Sequence, residues 1–82
     1  MSQHEKLLDR LKQKPKDFTW SELEKLLAGL GYKQEPGRGS RRKFIHEKTA
    51  VVTSLHEPHP GNQLKAYQVR EVLAHLKAER YL

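Results

Sequence analysis

Two groups of side chains in this chain can do chemistry. The first is a cluster of cations, Arg38, Arg41, Arg42 and Lys43, set around Gly37, Gly39 and Ser40 in the run GRGSRRKF. A glycine turn of this composition can bring backbone N–H groups and guanidinium groups close to phosphate. The second is a set of five histidines, His4, His46, His56, His59 and His75. Imidazole is the side chain that exchanges protons near neutral pH. His56 and His59 stand at an H-x-x-H spacing, which raises a zinc site. Zinc needs more ligands, and the chain has no cysteine and no suitable carboxylate pair to supply them. Pro58 between the two histidines also rules out the helical geometry of an HExxH-type site. The expectation is no metal and no other cofactor.

The charge distribution points the same way as the turn. The 82 residues carry a formal net charge of +6. Residues 1–35 hold seven Lys/Arg against six Asp/Glu, whereas residues 36–82 hold nine against four. Most of the surplus lies between Arg38 and Lys48. Charge focused on one turn is an electrostatic footprint for a polyanion, RNA above all. The alternative reading is a solvated loop. No apolar run is long enough to span a bilayer, and the N-terminus lacks an apolar signal core. The absence of cysteine fits a reducing compartment. A soluble, cytoplasmic protein with no membrane partner is expected.

The elements that must position these groups follow from local patterns. The length allows a single domain, residues 1–82, with a small core. Ser2 and Glu5 have capping-box spacing, and Leu7, Leu8 and Leu11 form a stripe ended by Pro15, giving an extra helix over 2–14. This helix has two readings, one packed on the domain and one serving a partner. Thr19 and Glu22 form a second capping box, with Phe18 and Leu23 as a hydrophobic staple. Leu23, Leu26, Leu27 and Leu30 have helical spacing, and Gly31 suits the left-handed position beyond a helix end. A helix is predicted from Trp20 or Ser21 to Leu30. Strands follow at Tyr32–Glu35, Arg41–His46 and Ala50–Leu55, the last two joined by Glu47-Lys48-Thr49. Val69, Val72, Leu73 and Leu76 mark a final helix. The fold class is α+β, with order α-β-β-β-α behind the extra helix and helices on one face of a three-stranded antiparallel sheet.

Three strings, SELEKLLAGLGYK, GRGSRRKF and HPGNQLKAYQVREVLAHL, resemble the HicA toxin family over roughly residues 19–80. Leu30-Gly31-Tyr32, Gly39-Ser40 with Phe44, and His59-Pro60-Gly61 with Leu64-Lys65 carry the likeness through their order and spacing. The resemblance implies a double-stranded-RNA-binding-domain-like fold, mRNA endoribonuclease activity and a HicB-like antitoxin partner. It also implies a catalytic histidine after the Gly-Ser pair, where this chain has Arg41.

RNA cleavage without metal needs a base for the 2′-hydroxyl and cations for the charge developing at phosphorus. Arginine suits only the second task, because it stays protonated. Arg41 is therefore expected to clamp phosphate. His59, which matches the third motif in a loop beside the sheet, is the candidate base. Its alternative is a turn residue bonded to backbone near Pro60. Arg38, Gly39, Ser40, Arg41, Arg42, Lys43 and Lys65 are the expected RNA-binding set. Arg42 and Lys43 should face opposite sides of their strand. His46 should share the core face with Phe44 as a packing residue. His56 ends the third strand, and His4 and His75 are read as surface. Trp20, Tyr32, Tyr67 and Phe44 are rings able to stack on bases, with Phe44 read as core and Trp20 as packing in the first turn of its helix. Replacement of the family histidine favours an alternative, a non-catalytic RNA-binding module on the same fold.

Overall fold

The computed structural model describes residues 3–58 and 61–82. Ser2 of the first capping box, together with His59 and Pro60, lies outside the described residues. The elements run α1 (Gln3–Lys12), α2 (Trp20–Gly29), β1 (Tyr32–Pro36), β2 (Arg41–His46), β3 (Val52–His56) and α3 (Ala66–Ala78). The strands form one antiparallel sheet in the order β1-β2-β3. This is the α+β arrangement read from the sequence, and it is consistent with a double-stranded-RNA-binding-domain-like fold.

The start of α2 is set by chemistry local to it. Thr19 Oγ1 accepts from the Glu22 N–H at 3.2 Å, and Glu22 Oε1 accepts from the Thr19 N–H at 3.0 Å. Such a cap contributes about 1 kcal/mol. Leu23, Leu26 and Leu27 then face inward and are buried. The helix stops at Leu30, and Gly31 follows at φ +98°. A Cβ there would be strained by conformation and would also meet His46 Nε2 at 3.0 Å.

The first helix packs on the domain. Leu11 is fully buried, with Leu7 and Leu8 packed against the core. Arg10 pins the helix to the start of α2, donating to Glu22 Oε2 at 2.6 Å and to Asp17 Oδ1 at 2.7 Å while lying over the Phe18 ring. The chain before α3 returns to the same region. Leu64 N–H donates to Phe18 O, Trp20 N–H to Asn62 O, and Thr19 bridges Gln63.

Every second residue of the sheet meets the helices. Tyr32, Phe44, His46 and Leu55 are buried on that face, where Phe44 packs 5.7 Å from the Trp20 ring. The opposite face carries no helix among the described residues. There Lys33 and Glu35 of β1, Arg41, Lys43 and Ile45 of β2, and Val52, Ser54 and His56 of β3 lie side by side. Antiparallel sheets tolerate one wet face in this way.

Several expectations shift. The third strand begins at Val52 because Ala50 belongs to the turn, at φ +61°. His75 is not free surface: it is half-buried, with Nε2 2.7 Å from the Tyr32 hydroxyl. Its place one residue before the buried Leu76 turns it toward β1. Tyr81 packs beside Tyr32 and His46. Burial, with Tyr81 and Glu79 nearby, pushes the Tyr32 hydroxyl up to about 12. No helix among the described residues is long and apolar enough to cross a membrane.

Candidate nucleic-acid interface

The glycine turn between β1 and β2 is held by its own backbone. Gly37 N–H donates to Arg41 O at 2.8 Å, and Arg41 N–H donates to Arg38 O at 3.0 Å. A Cβ at Gly37 would lie 2.8 Å from Arg41 O, so the approach excludes any side chain. Gly39 takes φ +58°. The end of β3 closes the turn from the other side, where Glu57 N–H donates to Ser40 O at 2.8 Å.

Arg42 braces this arrangement from the helix-side face. Its Nη1 donates to Gly39 O at 2.9 Å and to Arg41 O at 3.0 Å, and its Nε lies 3.4 Å from Glu57 Oε1. The two carbonyls and the carboxylate occupy most of its fork. Arg42 and Lys43 do face opposite sides of β2.

On the open face the other cations converge. Arg38, Arg41 and Lys43 line a groove of about 630 Å³ floored by Pro36 and Gly37, and the fourth side chain on its wall is His56. Arg41 and His56 are direct partners in the ladder, as are Lys43 and Ser54. Glu35 stands opposite Lys43 on β1, but no ion pair forms at Arg38, Arg41 or Lys43 among the described residues. Three cations without an ion-pair partner among the described residues, gathered in a concave site, favour a bound anion.

His56 also belongs to a second depression, which runs toward the start of α3 and is lined by Ser40, Glu57, Pro58, Lys65, Tyr67 and Gln68. Lys65 caps α3, and its N–H donates to Gln68 Oε1 at 3.0 Å. The buried Gln68 in turn donates through Nε2 to His56 O at 2.8 Å. Ser40 Oγ lies 3.4 Å from His56 Nδ1.

The structure thus gathers Arg38, Arg41 and Lys43 on one wall, puts Ser40 and Lys65 on the far side of His56, and turns Arg42 away. Gly39 shapes the turn without adding a side chain. His46 is buried beside Phe44, donating from Nε2 to Leu30 O at 3.0 Å and accepting at Nδ1 from the Lys48 and Thr49 N–H groups. Two residues escaped the sequence reading. Gln68 was hidden because the K-x-x-Q run has no Ser or Thr at the cap. The central place of His56 was hidden because it depends on the register of the β2–β3 hairpin.

With this geometry in view, comparisons with known proteins give one finding. A family model described as HicA toxin of bacterial toxin-antitoxin matches residues 20–78, from the first residue of α2 to the last of α3. No curated protein and no solved structure matches the chain.

Proposed function

Because the chain belongs to the HicA toxin family of bacterial toxin–antitoxin systems, we propose that it is a toxin that binds and cleaves mRNA in the cytoplasm and is held inactive by a HicB-like antitoxin. Membership of the family carries with it the toxin role and an antitoxin partner. The step to RNA rests on one observation: Arg38, Arg41 and Lys43, which have no ion-pair partner among the described residues, line a single groove on the open face of the sheet.

A phosphodiester seated there presents its non-bridging oxygens to guanidinium forks, which bind them in pairs. The same donors stabilise the extra negative charge that builds at phosphorus as the 2′-oxygen attacks. Gly39 and Ser40 shape the approach, Arg42 acts through the turn it braces, and Lys65 contacts a neighbouring phosphate. A histidine supplies the base. Arg41 cannot, since guanidinium holds its proton. His59, the candidate from the sequence, lies outside the described residues. The antitoxin inactivates the toxin by laying carboxylates over the basic groove.

A second reading, RNA binding without cleavage, is favoured by Arg41 at the position where the resemblance implies a histidine. Incubation of the purified chain with end-labelled RNA in chelator separates the two. Discrete fragments are expected from the nuclease. RNA that is shifted on a gel but left intact would leave only the binding module, and no shift at moderate salt would remove RNA from the account.

A further inference from the structure

We propose that His56 is the catalytic base, and that RNA lies across it from the cationic groove to a nucleotide-holding pocket formed by Lys65 and Tyr67. The inference rests on the reading of the chain as a ribonuclease and names the residue that starts the reaction.

Three observations carry it. First, His56 is the one imidazole among the described residues that reaches the groove of Arg38, Arg41 and Lys43. His46 has both ring nitrogens bonded to backbone, His75 is bonded to Tyr32, and His4 lies against Gly29. Second, His56 is shared by the two depressions, so a strand crossing from one to the other passes over it. Third, the ring sits on a fixed backbone while remaining exposed. The residue is held by its ladder partner Arg41 and by Gln68 at 2.8 Å. Ser40 Oγ can accept from Nδ1–H, and that tautomer leaves the Nε2 lone pair free.

Tyr67 is 45% exposed and shares the second depression with Lys65. An exposed ring beside a cation is what a stacked base and its phosphate require. The substrate class is therefore single-stranded RNA, with one nucleotide stacked on Tyr67 and the adjacent phosphate in the groove.

The reaction balances without a co-reactant. His56 Nε2 takes the 2′-hydroxyl proton as the 2′-oxygen bonds to phosphorus. The bond from phosphorus to the 5′-oxygen breaks, and that oxygen takes a proton from solvent. His56 returns its proton to solvent. The products are a 2′,3′-cyclic phosphate and a 5′-hydroxyl.

The test compares wild type, His56→Ala, His56→Gln and His59→Ala on one end-labelled RNA in chelator, with affinity measured in parallel. We expect wild type to leave cyclic-phosphate ends, with a cleavage rate that rises with pH. Both His56 variants should bind RNA within about threefold of wild type yet cleave on the order of 100-fold more slowly, with the pH dependence flattened. A single 2′-deoxy substitution at the cut site should stop cleavage and leave binding intact. If wild type cleaves and His56→Ala cleaves equally well, or if only His59→Ala loses activity, the assignment falls while the nuclease stands. Cleavage through the 2′-deoxy site would overturn it as well. If wild type binds RNA and never cuts it, the nuclease reading falls and the base falls with it.

Discussion

On the helix-side face, β2 carries Arg42, Phe44 and His46; on the open face the same strand carries Arg41 and Lys43, with His56 beside them on β3. Each face has a cation and a histidine, yet the two faces use them differently. On the covered face the cation and the histidine are both spent on the fold: Arg42 on two carbonyls and Glu57, His46 on three backbone groups. On the open face the cations have no ion-pair partner among the described residues, and His56 is exposed. Residue type does not separate structure from function here. The side of a pleated strand does, because burial forces polar groups to find protein partners and exposure leaves them for a ligand.

Damage to the covered face should cost stability, and damage to the open face should cost RNA binding. The largest effect should come from Phe44→Ala, which empties a site 1% exposed at the centre of the core. A loss of about 3–5 kcal/mol is expected, read from the urea midpoint. Next, the double change Arg41→Glu with Lys43→Glu should leave the urea midpoint nearly unmoved. RNA affinity should fall roughly 100-fold at moderate salt, and the dependence of log affinity on log salt should flatten by about two charges. Antitoxin binding should weaken with it. His46→Ala should cost about 1–3 kcal/mol, since it strands Leu30 O and two loop N–H groups, while RNA affinity of the folded protein stays unchanged. A smaller effect sharpens the covered face further. The Tyr32 hydroxyl ionises at about 12 in the folded chain, above its ordinary 10.0. Its contribution to stability is therefore complete below pH 10 and is lost as pH rises from 10 to about 12. Melting curves across that range should show an alkaline decline that Tyr32→Phe reduces.

Much of the covered face was legible in the sequence. Thr19, Glu22 and the leucine spacing give α2 its start and its buried stripe, and Phe44 and His46 follow from alternation along one strand. The open face was harder, because it depends on pairing between strands. Joining the strands through Glu47-Lys48-Thr49 alone would bring Ala50 opposite His46. The turn in fact takes in Ala50, whose N–H donates to His46 O, and the ladder resumes with His46 N–H on Val51 O. That one extra residue sets Leu55 against the helices and His56 on the open face. No local pattern announces it, since the turn places an alanine where glycine or asparagine would be expected. The contacts of His75 and Tyr81 with Tyr32 join the ends of the chain to its middle, and such long-range packing leaves no periodic trace.

The open sheet face is the surface proposed to meet RNA. A second cationic patch offers an internal control, since Lys14, Lys16 and Arg70 rim an apolar groove between the end of α1 and the start of α3. The most direct measurement is therefore an amide NMR titration of the whole chain with a short single-stranded RNA. Shifts should concentrate at Arg38, Arg41, Lys43, Ser54 and His56, extend to Lys65 and Tyr67, and fade as salt is raised. Shifts centred on Lys14, Lys16 and Arg70, with the open face silent, would contradict it.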